Sequence, residues 1–239
     1  MKKITLIIAA LAVCASMMFT ACGGDSGTNN NNSGNNNNSG NSDSNDKDKD
    51  KDDDKDNDKD DDKKDDAEYV ISTFDEETGK FTSNYLGIGA DFDLDEWEYV
   101  LDALGSYNGG ATTEEELKKA LEKTGGTIFE TMMLKEDGSN VSVAVGNLLK
   151  MTEDEYVDQC IENIDSIVAG SIDNANAVKS TQTIGGKSCV CLNITGDADG
   201  ESIYERMIFI NRGKYMGMIT ATASDEAGVE AICKVFYTL

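Results

Sequence analysis

The chain has 239 residues, with 46 acidic against 21 basic side chains, a formal net charge of −25, and neither histidine nor proline. So acidic a chain repels nucleic acid and anionic lipid headgroups. The lack of histidine excludes serine or cysteine triads with a histidine base, histidine-containing zinc sites and histidine acid–base chemistry.

Met1-Lys2-Lys3 forms a positive n-region and Ile4 to Ala12 an apolar h-region, and small or moderately apolar residues continue to Ala21. This is the layout of a secretory signal peptide, here residues 1–21. Phe19-Thr20-Ala21-Cys22-Gly23 resembles the signal of bacterial lipoproteins, with Phe19 standing where that signal usually has Leu. The resemblance implies a chain cut before Cys22, diacylglycerol on the Cys22 sulfur, and a protein held on the extracytoplasmic side of the cell membrane. Two acyl chains, at about 0.8 kcal/mol per buried CH₂, suffice for stable attachment. The alternative is an uncleaved membrane helix over Ile4 to Ala21, which is borderline in length and contains Ser16 and Thr20.

Residues 22–66 read as a low-complexity tether. Asn, Ser and Gly come first, then an Asp/Lys tract from Asp46 to Asp66 with 13 Asp and 7 Lys. Such a segment cannot bury a core. It reaches about 150 Å fully extended and roughly 35 Å as a flexible coil. The tract has no Gly to turn its carboxylates onto a calcium ion, and its lysines compete for them, so it reads as a solvated spacer.

Residues 67–239 read as one globular domain. Leu94, Trp97, Val100, Leu101 and Leu104 recur at helical spacing, and Thr113 with Glu116 forms a capping box that opens a second helix through Leu117, Ala120 and Leu121. Thr127 to Lys135 and Asn140 to Leu148 read as a hairpin across Glu136-Asp137-Gly138. Thr152 and Glu155 cap an amphipathic helix with Tyr156, Val157, Cys160, Ile161, Ile164 and Ile167 on one side. Four strands are expected next, at 177–184, 187–195, 202–211 and 214–222. Ser224, Asp225 and Glu226 start a last helix that turns Ile232, Val235 and Phe236 inward. Hairpins broken by one amphipathic helix and closed by another imply an α+β fold, an antiparallel sheet covered by helices.

The order of elements and several short signatures resemble the PsbP-like family over most of 80–239. Asn84-Tyr85-Leu86-Gly87-Ile88 is similar to its opening hairpin and Trp97 to its early Trp. Thr152 with Tyr156 is similar to the start of its central helix, and Ile184-Gly185-Gly186-Lys187 to its Gly-Gly turn. Tyr215 with Ile219-Thr220-Ala221-Thr222 is similar to its penultimate strand, before a closing helix ending near Phe236. The resemblance implies a twisted antiparallel sheet between helices and an accessory or binding role; it transfers no catalytic or ligand residue.

Four cysteines fall in the domain. Cys189 and Cys191 share one strand face, poorly placed to bond each other, while Cys160 and Cys233 lie on the apolar sides of two helices. Buried thiols are the plain reading, with a helix-to-strand disulfide or a soft-metal site as alternatives. In the stretch Gly196-Asp197-Ala198-Asp199-Gly200-Glu201, three carboxylates within five residues make either a calcium loop or a plain turn. Asp91, Asp93, Asp95 and Glu96 frame a cleft around Trp97 or merely flank a core residue. Tyr204, Arg206 and Tyr215 are candidates for a polar aromatic patch.

The expectation is therefore a lipid-anchored envelope protein that works by binding, without catalytic residues, cofactor or metal, and with an envelope or extracellular protein as partner. The alternatives are a carboxylate-dependent hydrolase of a cell-wall or extracellular polymer, which requires two convergent acids with perturbed pKa values, and a small-ligand or cation binder.

Overall fold

The computed structural model describes residues 68–123, 126–147 and 151–239. The leader, Cys22, the tether and Leu148 lie outside the described residues. Along the chain come β1 (Thr73–Asp75), β2 (Lys80–Ser83), β3 (Ile88–Asp91) and β4 (Trp97–Tyr99), then helices α1 (Leu101–Tyr107) and α2 (Glu114–Glu122). The hairpin β5 (Thr127–Lys135) and β6 (Asn140–Gly146) leads to helices α3 (Glu153–Glu162) and α4 (Ile164–Ile167). A meander of β7 (Asp173–Ile184), β8 (Lys187–Ala198), β9 (Glu201–Asn211) and β10 (Met216–Ala223) follows, and α5 (Glu226–Cys233) and β11 (Phe236–Thr238) close the chain.

The strands make two antiparallel sheets. The larger has the order β4-β5-β6-β10-β9-β8-β7 and the smaller β1-β2-β3-β11. On one face of the large sheet, Ile128, Met133, Val143, Ile208 and Ile219 pack with Phe81 and Ile88 of the small sheet, Leu117 and Leu121 of α2, and Val229 and Ile232 of α5. On the other face, Met132, Ala144, Leu192, Met207 and Phe209 meet Leu104 of α1, Tyr156, Val157 and Cys160 of α3, and Ile167 of α4. Both faces are thus core, which is why the central strands carry apolar residues on both sides. The fold is α+β, as expected from the order of hairpins and helices.

Both capping boxes form: the Thr113 and Thr152 hydroxyls accept from the N–H groups of Glu116 and Glu155, whose carboxylates accept from the two Thr N–H groups in return. The meander strands match the expected ones to within a few residues. Two of its turns show why. Gly185 and Gly186 (φ 53° and 86°), like Asp199 and Gly200 (φ 52° and 80°), take left-handed backbone at both central positions, the two-residue turn that suits the twist of paired strands. Gly185 carries a second constraint: a Cβ there would lie 2.3 Å from the Thr238 nitrogen of β11, so the turn that joins β7 to β8 also seats the chain's last strand.

Three expectations are corrected. The helix over Leu94 to Leu104 begins only at Leu101; Trp97, Glu98 and Tyr99 instead pair antiparallel with Lys135, Leu134 and Met133. Leu94 is left 39% exposed, whereas Trp97 is 5% exposed. The helical repeat had joined side chains from two different elements. The last helix stops at Cys233, and Phe236 lies in β11, opposite Ala90. The α3 helix ends at Glu162 because Asn163 takes a non-helical conformation and its Nδ2 donates to the Gln159 carbonyl at 2.8 Å, so Ile164 and Ile167 belong to the short α4.

Candidate functional site

The candidate site lies at the edge of the large sheet. The short β4 pairs only with Met133 to Lys135, so on the side away from β6 the β5 backbone before them has no described strand beside it and finds other partners. Asn108, at the end of α1, takes the place of a strand: its Oδ1 accepts from the Phe129 N–H at 2.8 Å and its Nδ2 donates to the Phe129 carbonyl at 2.9 Å. The Ser72 hydroxyl donates to the Glu130 carbonyl at 3.4 Å. These contacts hold open a cavity of about 440 Å³, walled by Tyr69, Phe74, Tyr99 and Phe129. Phe74 and Tyr99 stack with ring centroids 4.1 Å apart, and Tyr69 stands edge-on to Tyr85 at 5.5 Å.

Glu130 lines this cavity at a β-bulge. Phe129 faces Ala144 and Thr131 faces Val143, so Glu130 is the extra residue between two consecutive pairs. Strict alternation continues on either side, with Ile128 and Met133 on one face and Phe129 and Met132 on the other. A bulge re-aims one side chain without moving the rest of the strand. Glu130 is 7% exposed, and both carboxylate oxygens are shut from solvent without a well-formed hydrogen bond. Burial pushes its pKa up to about 7, and the nearby Ser83 and Tyr69 hydroxyls pull it back in part. The Tyr69 phenol is itself raised, by burial first and then by Glu130. Among the described residues lining the cavity, Glu130 alone is acidic and none is basic.

A second carboxyl is perturbed as strongly. Glu205 is fully buried, burial raises its pKa to about 8, and its Oε2 accepts from the Thr222 hydroxyl at 3.2 Å. In β9 it alternates with Ile203 and Met207, on the face that packs against α3, whereas Glu130 lies beside Tyr69 and Ser83 on the small-sheet face. The two acids sit on opposite sides of the sheet and do not converge.

The expected acidic cleft around Trp97 exists, with a volume of about 320 Å³. Its carboxylates are occupied locally: Asp93 accepts from the Asp95 N–H at 3.0 Å, Asp137 from the Ser139 N–H at 2.8 Å, Asp91 from the Tyr237 hydroxyl at 3.2 Å, and Glu96 pairs with Lys135 at 2.6 Å. The Lys135 ammonium in turn sits 4.8 Å from the Trp97 ring centroid. Trp97 is thus both core and cleft wall. At 197–201 the structure shows a hairpin turn: Asp197 faces Ser202 and Ala198 faces Glu201, so Asp197 and Glu201 point to opposite faces. Among the described residues no group of three or more Cys, Asp or Glu side chains is placed to hold a metal ion.

Of the proposed patch, Tyr204 and Arg206 come together, with the guanidinium 6.0 Å from the ring centroid, while Tyr215 packs elsewhere, against Tyr85 and Lys214. Arg206 is 5% exposed and saturated by Asn193 and Gln182, both at 2.7 Å, and by Glu230 and Glu226 of α5. It is a staple between helix and sheet. The four cysteines are free. The sheet separates Cys160 from Cys191 and Cys233; burial pushes the Cys160 and Cys191 thiols up to about 12 and Cys233 to about 11, so all three are poor nucleophiles.

No helix among the described residues is long and apolar enough to cross a membrane. No family model matches the sequence, and no curated protein does. Among solved structures, the chain resembles cyanobacterial PsbP from Synechocystis, at 12% identity over 67% of this chain and 91% of that one, with a TM-score of 0.39. It also resembles LpqN of Mycobacterium tuberculosis, a protein involved in cell envelope biogenesis, at 11% identity over 64% of this chain and 83% of that one, with a TM-score of 0.33. A Pseudomonas aeruginosa protein of unknown function is 18% identical over 38% of this chain, with a TM-score of 0.29, and the matched part spans 63% of its length. These are likenesses of fold.

Proposed function

We propose that this chain is a lipid-anchored extracytoplasmic binding protein, fixed to the membrane through Cys22 and presenting its α+β domain on a long acidic tether. The observation that carries the binding role is the aromatic cavity beside β5, walled by apolar and aromatic side chains with Ser72, Ser106, Asn108 and Thr112 among them and Glu130 as the one acidic residue described along it. Apolar walls with few convergent polar groups are the usual composition of a small-molecule site. Its partner is a free ligand or a group carried by an envelope component. A raised carboxyl is also half of what an acid-dependent hydrolase needs, but among the described residues the cavity supplies no second acid to work with Glu130, and Glu205 faces away from it.

Two measurements test this. Radiolabelled fatty acid should enter the native chain and not Cys22→Ser; equal labelling of both removes the anchor. Crosslinking from a photoreactive residue at position 74 in intact cells should capture a discrete partner. If nothing is captured while the purified protein cleaves a cell-wall polymer, the binding role is overturned.

A further inference from the structure

We propose that the cavity beside β5 takes a small organic cation, an ammonium group on an apolar body, with Glu130 as its counter-ion and the rings of Phe74, Tyr99, Tyr69 and Phe129 around it. This rests on the reading of the cavity as a binding site and names the class of ligand.

Charge selects first. With Glu130 the one acidic residue and no basic residue among those described along the wall, an anion entering the cavity would lose its water and meet only a like charge. A neutral ligand would leave the Glu130 carboxylate as it stands, buried, with only the nearby Ser83 and Tyr69 hydroxyls to offset its charge. An ammonium gives that carboxylate the positive partner that the described residues of the wall do not supply, in surroundings where an ion pair is strengthened by the exclusion of water.

The walls select next. Ring faces attract cations, more strongly where both are desolvated, and four aromatic side chains border this space. A bare metal ion fits poorly, because a hard cation takes six or more oxygens and the described residues assemble no group of three acidic side chains. An organic ammonium needs one carboxylate and apolar contact, which is what the cavity offers. A volume of about 440 Å³ falls within the roughly 300–1,000 Å³ of small-ligand sites.

The backbone around the cavity is fixed before any ligand arrives. Asn108 fixes the backbone of Phe129 by two hydrogen bonds, Ser72 holds the Glu130 carbonyl, and the bulge sets the direction of the Glu130 side chain. Because both carboxylate oxygens are closed to solvent, the ion pair forms when the carboxyl, or the Tyr69 ring beside it, turns toward the cavity.

The test is a calorimetric titration of the full-length chain at pH 8 with three probes of one shape: benzylammonium, benzyl alcohol and benzoate. Saturable binding of benzylammonium is expected, with benzyl alcohol about tenfold weaker, the worth of one desolvated ion pair or cation–ring contact, and no binding of benzoate. Glu130→Gln should weaken benzylammonium by about tenfold and leave benzyl alcohol within about twofold. A thermal melt confirms that the variant is folded, and Tyr99→Leu, which keeps the charge, should weaken both probes. Equal binding of benzylammonium and benzyl alcohol, or an unchanged affinity in Glu130→Gln, overturns the cation while leaving a binding cavity in place. Binding of none of the probes overturns the inference as well, and the crosslink at position 74 then decides the binding role separately.

Discussion

Two buried side chains in the large sheet, Glu130 and Arg206, reach opposite outcomes from similar burial. Arg206 finds four polar partners on three elements, β7, β8 and α5, so its removal would strand Asn193, Gln182 and Glu230 together. Arg206→Ala is expected to destabilise the protein by about 3 kcal/mol in urea unfolding, and Glu230→Ala by less, since Glu230 is partly exposed and its loss leaves Arg206 three other partners. A null effect of Arg206→Ala would show that the network is ornamental. Glu130 has no such set of partners. Burial pushes its carboxyl up to about 7 in the folded chain against the ordinary 4.5 of a solvated Glu, so between those values the folded state holds a proton that the unfolded state has lost. Stability therefore falls as pH rises through that window. Glu130→Gln, which cannot ionise, should be more stable than the native chain by about 2 to 3 kcal/mol at pH 8 and about equal at pH 4.5. A gain of the same size at both pH values would refute ionisation as the cause. From the sequence, the one available sign of this residue is a Glu in the middle of the otherwise uncharged run Thr127 to Leu134. Its meaning depends on the bulge, which no local pattern announces.

Among the elements, those written by local chemistry were read well. A capping box is a contact between residues three apart, so Thr113 with Glu116 and Thr152 with Glu155 announce α2 and α3 without any tertiary information. Thr152→Ala should cost about 1 kcal/mol, read as a lower urea midpoint with an unchanged slope; a changed slope would mean that α3 does more than cap and pack. The stretch from Leu94 to Leu104 misled for the converse reason. Its apolar spacing fits a helix, but Trp97 to Tyr99 gain strand partners from Lys135 to Met133, 34 to 38 residues away in the chain, and such pairing overrides propensity. The small sheet was missed except for the hairpin suggested by family resemblance, since β1, β2, β3 and β11 are three or four residues long and too short to show a period. The site inherits these misses: it is bounded by the β1 region, β4, α1 and the bulge in β5, so its walls come from the elements least visible in sequence.

At the scale of the whole molecule, charge and burial act together. With a formal net charge of −25, self-repulsion grows as carboxyls ionise, while Glu130 and Glu205, at about 7 and about 8, oppose folding once they lose their protons. Carboxyls held below the usual range, such as Glu116 and Glu155, whose caps accept backbone N–H groups, act the other way and lose their contribution as pH falls through their folded values. Stability is expected to peak on the acid side of neutrality and to decline between about pH 4.5 and 8, from the ordinary carboxyl value to the folded values of these two groups. Salt separates the causes: 1 M salt screens surface repulsion but leaves the two buried groups. A decline abolished by salt would assign it to the surface alone.

The order of the chain by itself determined the exclusion of histidine chemistry, the capped helices and the long hairpins. Each of these depends on composition or on neighbours a few residues apart. Only the tertiary structure decided which acids are buried, that Glu130 and Glu205 lie on opposite faces, that the acids around Trp97 are engaged in turns and ion pairs, and that an aromatic cavity opens beside β5. Those properties arise where segments distant in sequence exclude water from one another, and the pKa of a carboxyl or the partner of an edge strand is set by that exclusion.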